Sequence, residues 1–476
     1  MNAGPVIVSR SPADGRPLGS FPVAGPADVH LAVTRARATL RAWSAHREQR
    51  VRVVEALAET LRRREFDVAT LIAFETGKPM WEARTEVAAM VNKCTLSIRS
   101  ETERRAPSHS AAGAVTYRPH GVVAVLGPFN FPGHLPLGHI APALLAGNAV
   151  VFKPSEKAPA VGQRLAELFA EAGLPENVLH VLHGGADTAA ALIDADIDAV
   201  LFTGSYATGC RILQRLVHRP GVLTALEMGG NNPMLAWDVP ESSVPAAAVC
   251  VVQSAFITAG QRCSCTRRLI VPKGHPLISA VVETARTVRV GLPDDTPPPF
   301  YGCVIDDAAA QRVLTRQQFL AEQGELLLAA RPLAGHPRLL TPGIVRCPTP
   351  QDLNTPPDES TDTEVFGPLL QVIEADHLEQ AFDIANHTHY GLAAGLLSAD
   401  REVWERFRVR VRAGVLTWNR PTTGSSSELP FGGIKRSGNH RPSAYFAADY
   451  CSYAVAEMAA ATLRMPATLP PGLCGG

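Results

Sequence analysis

The 476-residue chain has no excess of charge of either sign. Lys plus Arg and Asp plus Glu both number 45, so the formal charge at pH 7 is zero with His neutral. We therefore do not expect an extended basic surface of the kind that binds nucleic acids or anionic membranes. The composition is 46% hydrophobic and 19% charged, which is typical of a soluble globular protein and too apolar for a disordered one. At about 150 residues per domain, the length predicts roughly three structural units.

The chain also lacks long apolar runs, and its number of cysteines is odd. Its first residues, MNAGPVIVSRSPADG, show no charged start followed by an apolar stretch, which argues against a secretory signal. The apolar segment PAAAVCVVQSAFITAG is interrupted well short of the roughly 20 residues that cross a bilayer. The nine cysteines are scattered, which is typical of reduced thiols. We expect a cytoplasmic protein with neither a membrane nor a nucleic acid as partner.

Runs of β-branched residues alternate with helical spacing from about residue 114 onward. The runs GVVAVLG, NAVVFKP, NVLHVLHG and AVLFTG are followed by a second alternating set, which begins at NPMLAW, residues 232–237, and extends to about 436. This repetition predicts parallel sheets with helices on both faces, and an α+β packing is the alternative. Helical spacing also covers 27–48 and 50–76, whereas the proline-rich stretch 347–363 predicts a loop.

Cys263 is a candidate nucleophile. It lies at the end of an apolar helical run in FITAGQRCSC, residues 256–265. A nucleophilic cysteine needs a lowered thiol pKa, because the thiolate is the reactive form; a buried, inert thiol is the alternative. Cys263 and Cys265 have one residue between them and no matching Cys or His pair elsewhere, so we predict no metal site.

Glu227 is a candidate general base. It stands in ALEMGGNNP, residues 225–233, after apolar residues and just before two glycines. An apolar setting raises the pKa of a carboxyl group and so suits it to accept a proton near neutral pH. A turn Glu that pairs with a nearby Arg is the alternative.

Asn130, Lys153 and Glu156 follow two of the predicted strands. Asn130, in FNFP, is a candidate to present its side-chain amide to a developing oxyanion. Lys153 and Glu156 lie at the end of NAVVFKP, where open α/β sheets bind ligands. The alternative for Glu156 is that it merely begins the next helix.

The segment AVLFTGSYATG, residues 199–209, predicts a strand that turns into a helix. Gly204, Ser205 and Gly209 would leave backbone N–H groups free for a phosphate at this turn. The two glycines lie five positions apart, which matches neither the dinucleotide fingerprint nor the Walker loop. A purely structural turn is therefore the alternative.

Seven short strings occur in a fixed order along the chain: FNFP, KPSE, FTGS, LEMGG, GQRC, EVFGP and PFGGIKRSG. Together they resemble the aldehyde dehydrogenase superfamily, from about residue 25 to 460. Within that superfamily, QSAFITAGQRCSCTRRL and SGNHRPSAYFAADYC look like the succinylglutamate semialdehyde dehydrogenases of the arginine succinyltransferase pathway, which belongs to arginine catabolism.

The resemblance implies an aldehyde dehydrogenase-like α/β fold with two Rossmann-type domains. An NAD-binding domain would comprise 1–100 and 120–228, and a catalytic domain 229–436. A small β oligomerisation element would combine a hairpin at 101–119 with a strand at 447–460. That hairpin would lend a strand edge to another subunit, so we expect a homodimer or homotetramer.

The resemblance also implies a mechanism. Cys263 would attack the aldehyde to give a thiohemiacetal and then a thioester, the Asn130 amide and the Cys263 backbone N–H would hold the oxyanion, and Glu227 would activate the hydrolytic water. The product from N-succinylglutamate 5-semialdehyde would be N-succinylglutamate.

NAD is the implied cofactor. The residues that would contact it are Lys153 and Glu156 at the adenosine ribose, Gly204, Ser205 and Gly209 at the pyrophosphate, and Glu364 and Phe366 at the nicotinamide riboside. A carboxylate accepts a hydrogen bond from a free 2′-hydroxyl and repels a 2′-phosphate, so Glu156 favours NAD over NADP.

A semialdehyde that carries carboxylates needs cations in its pocket. Arg262 and Arg441 are the candidates, because Arg binds a carboxylate with two parallel hydrogen bonds. His440 and Ser427 are further candidates. For each arginine, a structural ion pair is the alternative.

Three other functions stay open at this point. They are an NAD(P)-dependent dehydrogenase of another small aldehyde, a non-catalytic relative that serves as a binding protein, and an acylating enzyme that passes the thioester to coenzyme A. The joint presence of Cys263, Glu227 and Asn130 argues against a non-catalytic binding protein. Glu227 argues against an acylating enzyme, because a hydrolytic base would destroy the thioester before coenzyme A could accept the acyl group.

Overall fold

The computed structural model describes residues 4–466 and 468–473. The chain begins with an antiparallel hairpin and four helices: β1 (Val6–Arg10), β2 (Pro17–Pro22), α1 (Pro26–Ala45), α2 (Arg47–Arg63), α3 (Glu65–Thr76) and α4 (Met80–Arg104). The helix predicted at 27–48 corresponds to α1. The one predicted at 50–76 is two helices that meet at Arg64. Helix α4 lies in a stretch for which the sequence pattern predicted nothing.

A short hairpin separates α4 from the first large sheet. Its strands are β3 (Ser108–Ser110) and β4 (Gly113–Pro119), which pair antiparallel. The hairpin expected at 101–119 therefore starts later than predicted, because residues 101–104 still belong to α4.

The first large sheet is entirely parallel, with strand order β7-β6-β5-β8-β9. Its elements are β5 (Val122–Leu126), α5 (His134–Ala146), β6 (Ala149–Lys153), α6 (Pro159–Glu171), β7 (Leu179–Val181), α7 (Ala186–Asp194), β8 (Ala199–Gly204), α8 (Tyr206–Leu216) and β9 (Leu223–Met228). All residues of β5 and β6 are buried, since helices cover both faces. The chain leaves β5 for β6 on one side and returns to β8 on the other, so a crevice opens at the carboxyl ends of β5 and β8.

The second large sheet has the order β12-β15-β16-β11-β10-β17-β18 and is parallel except for β12. Its region comprises β10 (Asn232–Ala236), α9 (Val244–Phe256), β11 (Thr266–Pro272), α10 (Leu277–Arg286), α11 (Asp307–Ala321), β12 (Glu325–Leu328), β13 (Pro332–Leu333), β14 (His336–Leu340), β15 (Gly343–Cys347), β16 (Leu369–Ala375), α12 (Leu378–Asn386), β17 (Ala393–Leu397), α13 (Arg401–Arg410) and β18 (Val415–Trp418). Two parallel sheets with helices on their faces confirm the predicted α/β class.

The segment Glu241–Gly260, which contains α9, is long and apolar enough to cross a membrane by length and composition alone. However, 67% of its most apolar window is buried inside the fold. Helix α9 packs on α10 and β11, and its apolar residues belong to the core under the second sheet. It is a core helix.

The C-terminal part adds β19 (Pro430–Phe431), β20 (Ser443–Ala444) and β21 (Ser452–Glu457). Strand β21 pairs antiparallel with β4, which gives a separate three-stranded sheet of order β21-β4-β3. Strands β19 and β20 pair with each other and bring Ser443 next to Phe431. The eight cysteines in the described residues are free thiols. Cys474 lies outside the described residues.

Candidate active site

A cleft of about 600 Å³ lies between the two large sheets. One wall is formed at the carboxyl ends of the first sheet, where residues 127–130 follow β5 and Glu227 lies in β9. The other wall comes from the second sheet and the segments near it, through Cys263, Glu364 and Phe431. The structure thus brings the three predicted catalytic residues, Cys263, Glu227 and Asn130, into one cavity.

The loop before Cys263 has an unusual backbone. After α9, Thr258, Ala259 and Gly260 all adopt positive φ angles, of 58°, 52° and 69°. Such angles cost a residue with a side chain of the order of 1 kcal/mol or more, so the surrounding structure must hold them. A Cβ at Gly260 would overlap the carbonyl oxygen of Gly367, so only glycine fits there.

Four side chains hold this loop. The Thr258 hydroxyl donates to the carboxylate of Glu82, which is fully buried in α4, and accepts from Arg262 Nε at 2.7 Å. Arg262 Nη2 also donates to the Glu82 carboxylate, at 2.8 Å. Buried Arg267 ties this loop to the EVFGP segment, because its guanidinium donates to the carbonyls of Arg262 and Gly367 at 3.0 and 3.3 Å.

Cys263 is fixed through its backbone. Its carbonyl oxygen accepts from Asn232 Nδ2 at 2.7 Å, and the same nitrogen donates to the carbonyl of Cys265 at 2.9 Å. Burial raises the pKa of the Cys263 thiol to about 12, and the nearby carboxylates of Glu364 and Glu227 add to this rise. This corrects the expectation of a lowered pKa: in the protein alone, Cys263 is a protonated thiol at neutral pH.

Glu227 lies near the end of β9, opposite Thr203 of β8, and is 5% exposed. Its Oε1 accepts from the backbone N–H of Ser443 at 3.2 Å, and its Oε2 has no hydrogen-bond partner among the described residues. Burial raises the pKa of this carboxyl well above its usual value, although the Ser443 N–H and the charge of Lys93 oppose the rise. The apolar surroundings that the ALEMGG string predicts therefore raise the pKa of Glu227, as expected.

Asn130 is positioned by the nucleophile loop itself. Its Nδ2 donates to the carbonyl of Gln261, two residues before Cys263, at 2.9 Å. The side chain is 5% exposed and lines the cleft. An amide nitrogen carries two N–H groups, so the second remains for a ligand beside Cys263.

The residues predicted to bind NAD also line the cleft, except for Gly209. Lys153, at the end of β6, donates to the carbonyls of Pro154 and Gly184 at 2.8 and 2.7 Å and lies 3.7 Å from the Glu156 carboxylate. Glu156 is half exposed at the rim, so its carboxylate can accept from a hydroxyl group of a ligand.

Gly204 and Ser205 form the turn between β8 and α8, and the Ser205 hydroxyl accepts from the Thr208 N–H at 3.3 Å as the helix cap. Gly209 lies one turn further on and is buried against Met228 of β9. A Cβ there would collide with the Met228 sulfur, so the structure assigns Gly209 to packing and corrects its predicted contact with a pyrophosphate.

Glu364 and Phe366 of EVFGP lie close to the nucleophile. Glu364 Oε1 accepts from the Gly230 N–H at 3.1 Å, and burial raises the pKa of this carboxyl. The ring of Phe366 meets Phe129 edge to face, with centroids 5.8 Å apart. Both residues line the cleft together with Cys263, and the charge of Glu364 acts on its thiol.

None of the four predicted substrate-binding residues lines the cleft. Arg262 is committed to Glu82 and Thr258, as its ion-pair alternative foresaw. Arg441 and His440 are exposed, and Ser427 is half-buried outside the cavity. The cleft has other cations, among which Lys93 in α4 is as deeply buried as Lys153; a lysine inside the apolar stretch AAMVNKCTL was the signal that could have found Lys93.

Comparison with known proteins agrees with this geometry. The profile of the aldehyde dehydrogenase family matches residues 2–455. An N-succinylglutamate 5-semialdehyde dehydrogenase of Chromobacterium violaceum is 47% identical over 480 residues, which cover 99% of this chain and 97% of that protein.

Two solved structures show the same fold. A gamma-glutamyl-gamma-aminobutyraldehyde dehydrogenase from Burkholderia cenocepacia has a TM-score of 0.88 and 30% identity, over 95% of this chain and 92% of that one. An NAD-dependent aldehyde dehydrogenase from Sinorhizobium meliloti has a TM-score of 0.90 and 27% identity, over 98% of this chain and 94% of that one. With its cysteine, carboxylate and amide in one cleft, this chain belongs to the aldehyde dehydrogenase family.

Proposed function

We propose that this protein oxidises N-succinylglutamate 5-semialdehyde to N-succinylglutamate with NAD, as a step of arginine catabolism. The observation that carries the chemistry is the convergence of Cys263, Glu227 and Asn130 on one cleft. The substrate follows from the relative in Chromobacterium violaceum, whose name states this activity and which matches almost the whole chain.

In the first half of the reaction, Cys263 Sγ forms a bond to the aldehyde carbon and its proton leaves to water in the cleft. The carbonyl oxygen becomes an oxyanion, which the free N–H of Asn130 and the backbone N–H of Cys263 stabilise. One such donor contributes on the order of 100- to 1000-fold in rate. When bound, NAD would supply the acceptor for the hydride of the substrate carbon, and a thioester would then remain on Cys263.

In the second half, Glu227 takes a proton from water, and the hydroxide formed adds to the thioester carbon. The C–S bond then breaks with its electron pair on sulfur, and the carboxylic acid leaves. The proton held by Glu227 returns to the sulfur, so that Cys263 is restored as a thiol and Glu227 as a carboxylate. The raised pKa of Glu227 suits this role, because a stronger base takes the proton more readily once it is ionised. Splitting one oxidation into acylation and hydrolysis replaces a difficult step by two easier ones.

Other residues of the cleft fit a dinucleotide. The crevice lies at the switch point of a parallel sheet, and the α8 N-terminus at Ser205 offers free backbone N–H groups to a pyrophosphate. Glu156 would accept from a ribose 2′-hydroxyl and Glu364 from the nicotinamide riboside. The negative charge of Glu156 favours NAD over NADP.

Steady-state production of NADH with a panel of aldehydes tests the proposal. We expect the highest kcat/KM for N-succinylglutamate semialdehyde, no oxidation by Cys263→Ala with NAD binding retained, and normal activity in the control Cys250→Ala on α9. Preference for an uncharged aliphatic aldehyde would point to another small-aldehyde dehydrogenase. A folded protein that oxidises no aldehyde would indicate a binding protein, and acyl-coenzyme A as product would indicate an acylating enzyme.

We also propose that the chain divides into the NAD-binding, catalytic and oligomerisation parts expected above, and that it forms a homodimer or homotetramer in the cytoplasm. The separate sheet β21-β4-β3 supports this, because it leaves the outer edges of β3 and β21 for strands of another subunit. Light scattering of the intact protein, and of a variant with Pro at Tyr453 in β21, tests the assembly.

A further inference from the structure

The proposed substrate brings negative charge into a cleft that already contains Glu227 and Glu364. Five cations line the described part of this cleft: Lys93, Lys153, Lys157, Arg211 and Arg312. Lys153 is tied to two carbonyls and Glu156, and Lys157 forms an ion pair with Asp306 at 2.5 Å. Arg211 and Arg312 are exposed on the surface. Lys93 is therefore the one cation of this set that is both buried and uncommitted.

Lys93 projects from α4 and is 6% exposed. Within the described ranges its amine forms no hydrogen bond or ion pair, and the charge of Glu227 acts on it. The nitrogen itself is not completely buried, because part of it reaches the open volume of the cleft. A ligand carboxylate that enters the cleft can therefore supply the hydrogen-bonded negative charge that no side chain supplies.

Gly138 gives this amine its access to the cleft. It lies in α5, lines the cavity, and has no side chain to cover the lysine: a Cβ there would lie 3.6 Å from Lys93 Cε and 3.8 Å from Nζ. Glycine inside a helix costs about 1 kcal/mol relative to alanine, so it needs a reason at this position. The opening above Lys93 is such a reason.

We propose that Lys93 binds the carboxylate on the glutamate backbone of the substrate, and that Gly138 keeps the space in which this carboxylate sits. The proposal rests on the proposed function and makes Lys93 a specificity-determining residue. We assign the carboxylate of the glutamate backbone to Lys93, rather than the carboxylate of the succinyl group, because Lys93 and Glu227 face each other deep in the same cavity. In the substrate, this carboxylate is four bonds from the aldehyde carbon.

The charges around the amine are consistent with binding an anion. Glu227 of β9 and the histidines His134 and His139 of α5 face Lys93. Burial lowers the pKa of His134 well below its usual value and that of His139 to about 3, so both rings are neutral. Burial also lowers the pKa of Lys93 to about 8, so its amine is charged at neutral pH. As the pH rises past this pKa the amine loses its charge, and KM for an anionic aldehyde should therefore increase.

The experiment compares 5-oxopentanoate with pentanal, which differ only by a carboxylate in place of a methyl group at the proposed position. For Lys93→Met we expect KM for 5-oxopentanoate to rise about 10- to 100-fold and KM for pentanal to stay unchanged. Because the charge of Lys93 also acts on Glu227, any change in kcat should be the same for both aldehydes. Gly138→Leu should give the same pattern by filling the space, and Lys273→Met on the surface should change neither aldehyde.

Two results would overturn the inference. One is an unchanged preference for 5-oxopentanoate in Lys93→Met. The other is a kcat that falls equally for both aldehydes at constant KM, with a shifted pH profile, since Lys93 would then act on Glu227. Failure of the proposed function would look different: wild-type protein would show no preference for N-succinylglutamate semialdehyde, whatever the variants do.

Discussion

Replacing Glu227 with Gln should separate the two halves of the reaction. The Gln side chain has the same shape, and its carbonyl oxygen can still accept the 3.2 Å bond from the Ser443 N–H, so the fold should be kept. What is lost is the ability to take a proton from water. A positioned general base contributes about 100- to 10,000-fold in rate, so hydrolysis should slow by that factor while hydride transfer continues.

Rapid mixing of the variant with NAD and substrate is the assay. We expect a burst of NADH that approaches one equivalent per active site, then slow turnover, with the acyl group found on Cys263 by mass spectrometry of the quenched protein. Because burial raises the pKa of Glu227, its carboxyl is protonated at low pH. Hydrolysis by the wild-type protein should therefore rise with pH as that proton is lost, whereas the slow phase of the variant should lack this titration.

Glu322→Gln, on the exposed end of α11, is the matched control and should behave like the wild type. Unchanged turnover in Glu227→Gln would refute the role of Glu227 as base. Loss of the burst together with turnover would show that Glu227 acts before the hydride leaves, and would also refute the assignment.

Three further predictions follow from contacts in and beside the cleft. Because burial raises its thiol pKa to about 12, Cys263 in the coenzyme-free protein should react with iodoacetamide near neutral pH much more slowly than a free cysteine, and faster as the pH rises; rapid labelling at neutral pH, seen by peptide mass spectrometry, would contradict this. Asn130→Ala should lower kcat about 100- to 1000-fold, and a normal kcat would exclude the amide from the oxyanion site. Arg262→Met should lower the free energy of unfolding by about 3 to 5 kcal/mol, because it leaves the Glu82 carboxylate buried without its cation; urea denaturation with an unchanged midpoint would contradict that.

The positions of the chemical groups could be predicted from the sequence where they depend on local structure. Lys153 ends a buried parallel strand, Ser205 directly follows one, and Asn130 lies in the loop that leaves β5; the carboxyl ends of such strands meet at one edge. Cys263 and Glu227 were found in the same way, as polar residues at the ends of apolar segments. The structure brings them into one cleft, and the roles assigned to them stay predictions.

Properties that depend on distant partners could not be predicted. Arg262 looked free beside the nucleophile, but its partner Glu82 lies 180 residues earlier, in a helix that carried no motif. The thiol of Cys263 was expected to have a lowered pKa, and the opposite shift arises first from burial and then from the charges of Glu364 and Glu227, which are far apart in sequence. Lys93 was missed for the same reason, since its access to the cleft depends on Gly138 across the helix interface.

The contact at Gly260 has a mechanical consequence. A bare α-carbon there lies against the Gly367 carbonyl, and the Arg267 guanidinium spans the two chain segments. Protein interiors are nearly incompressible, so any side chain at position 260 would have to push these two segments apart, and the turn that carries the sulfur atom would move with them.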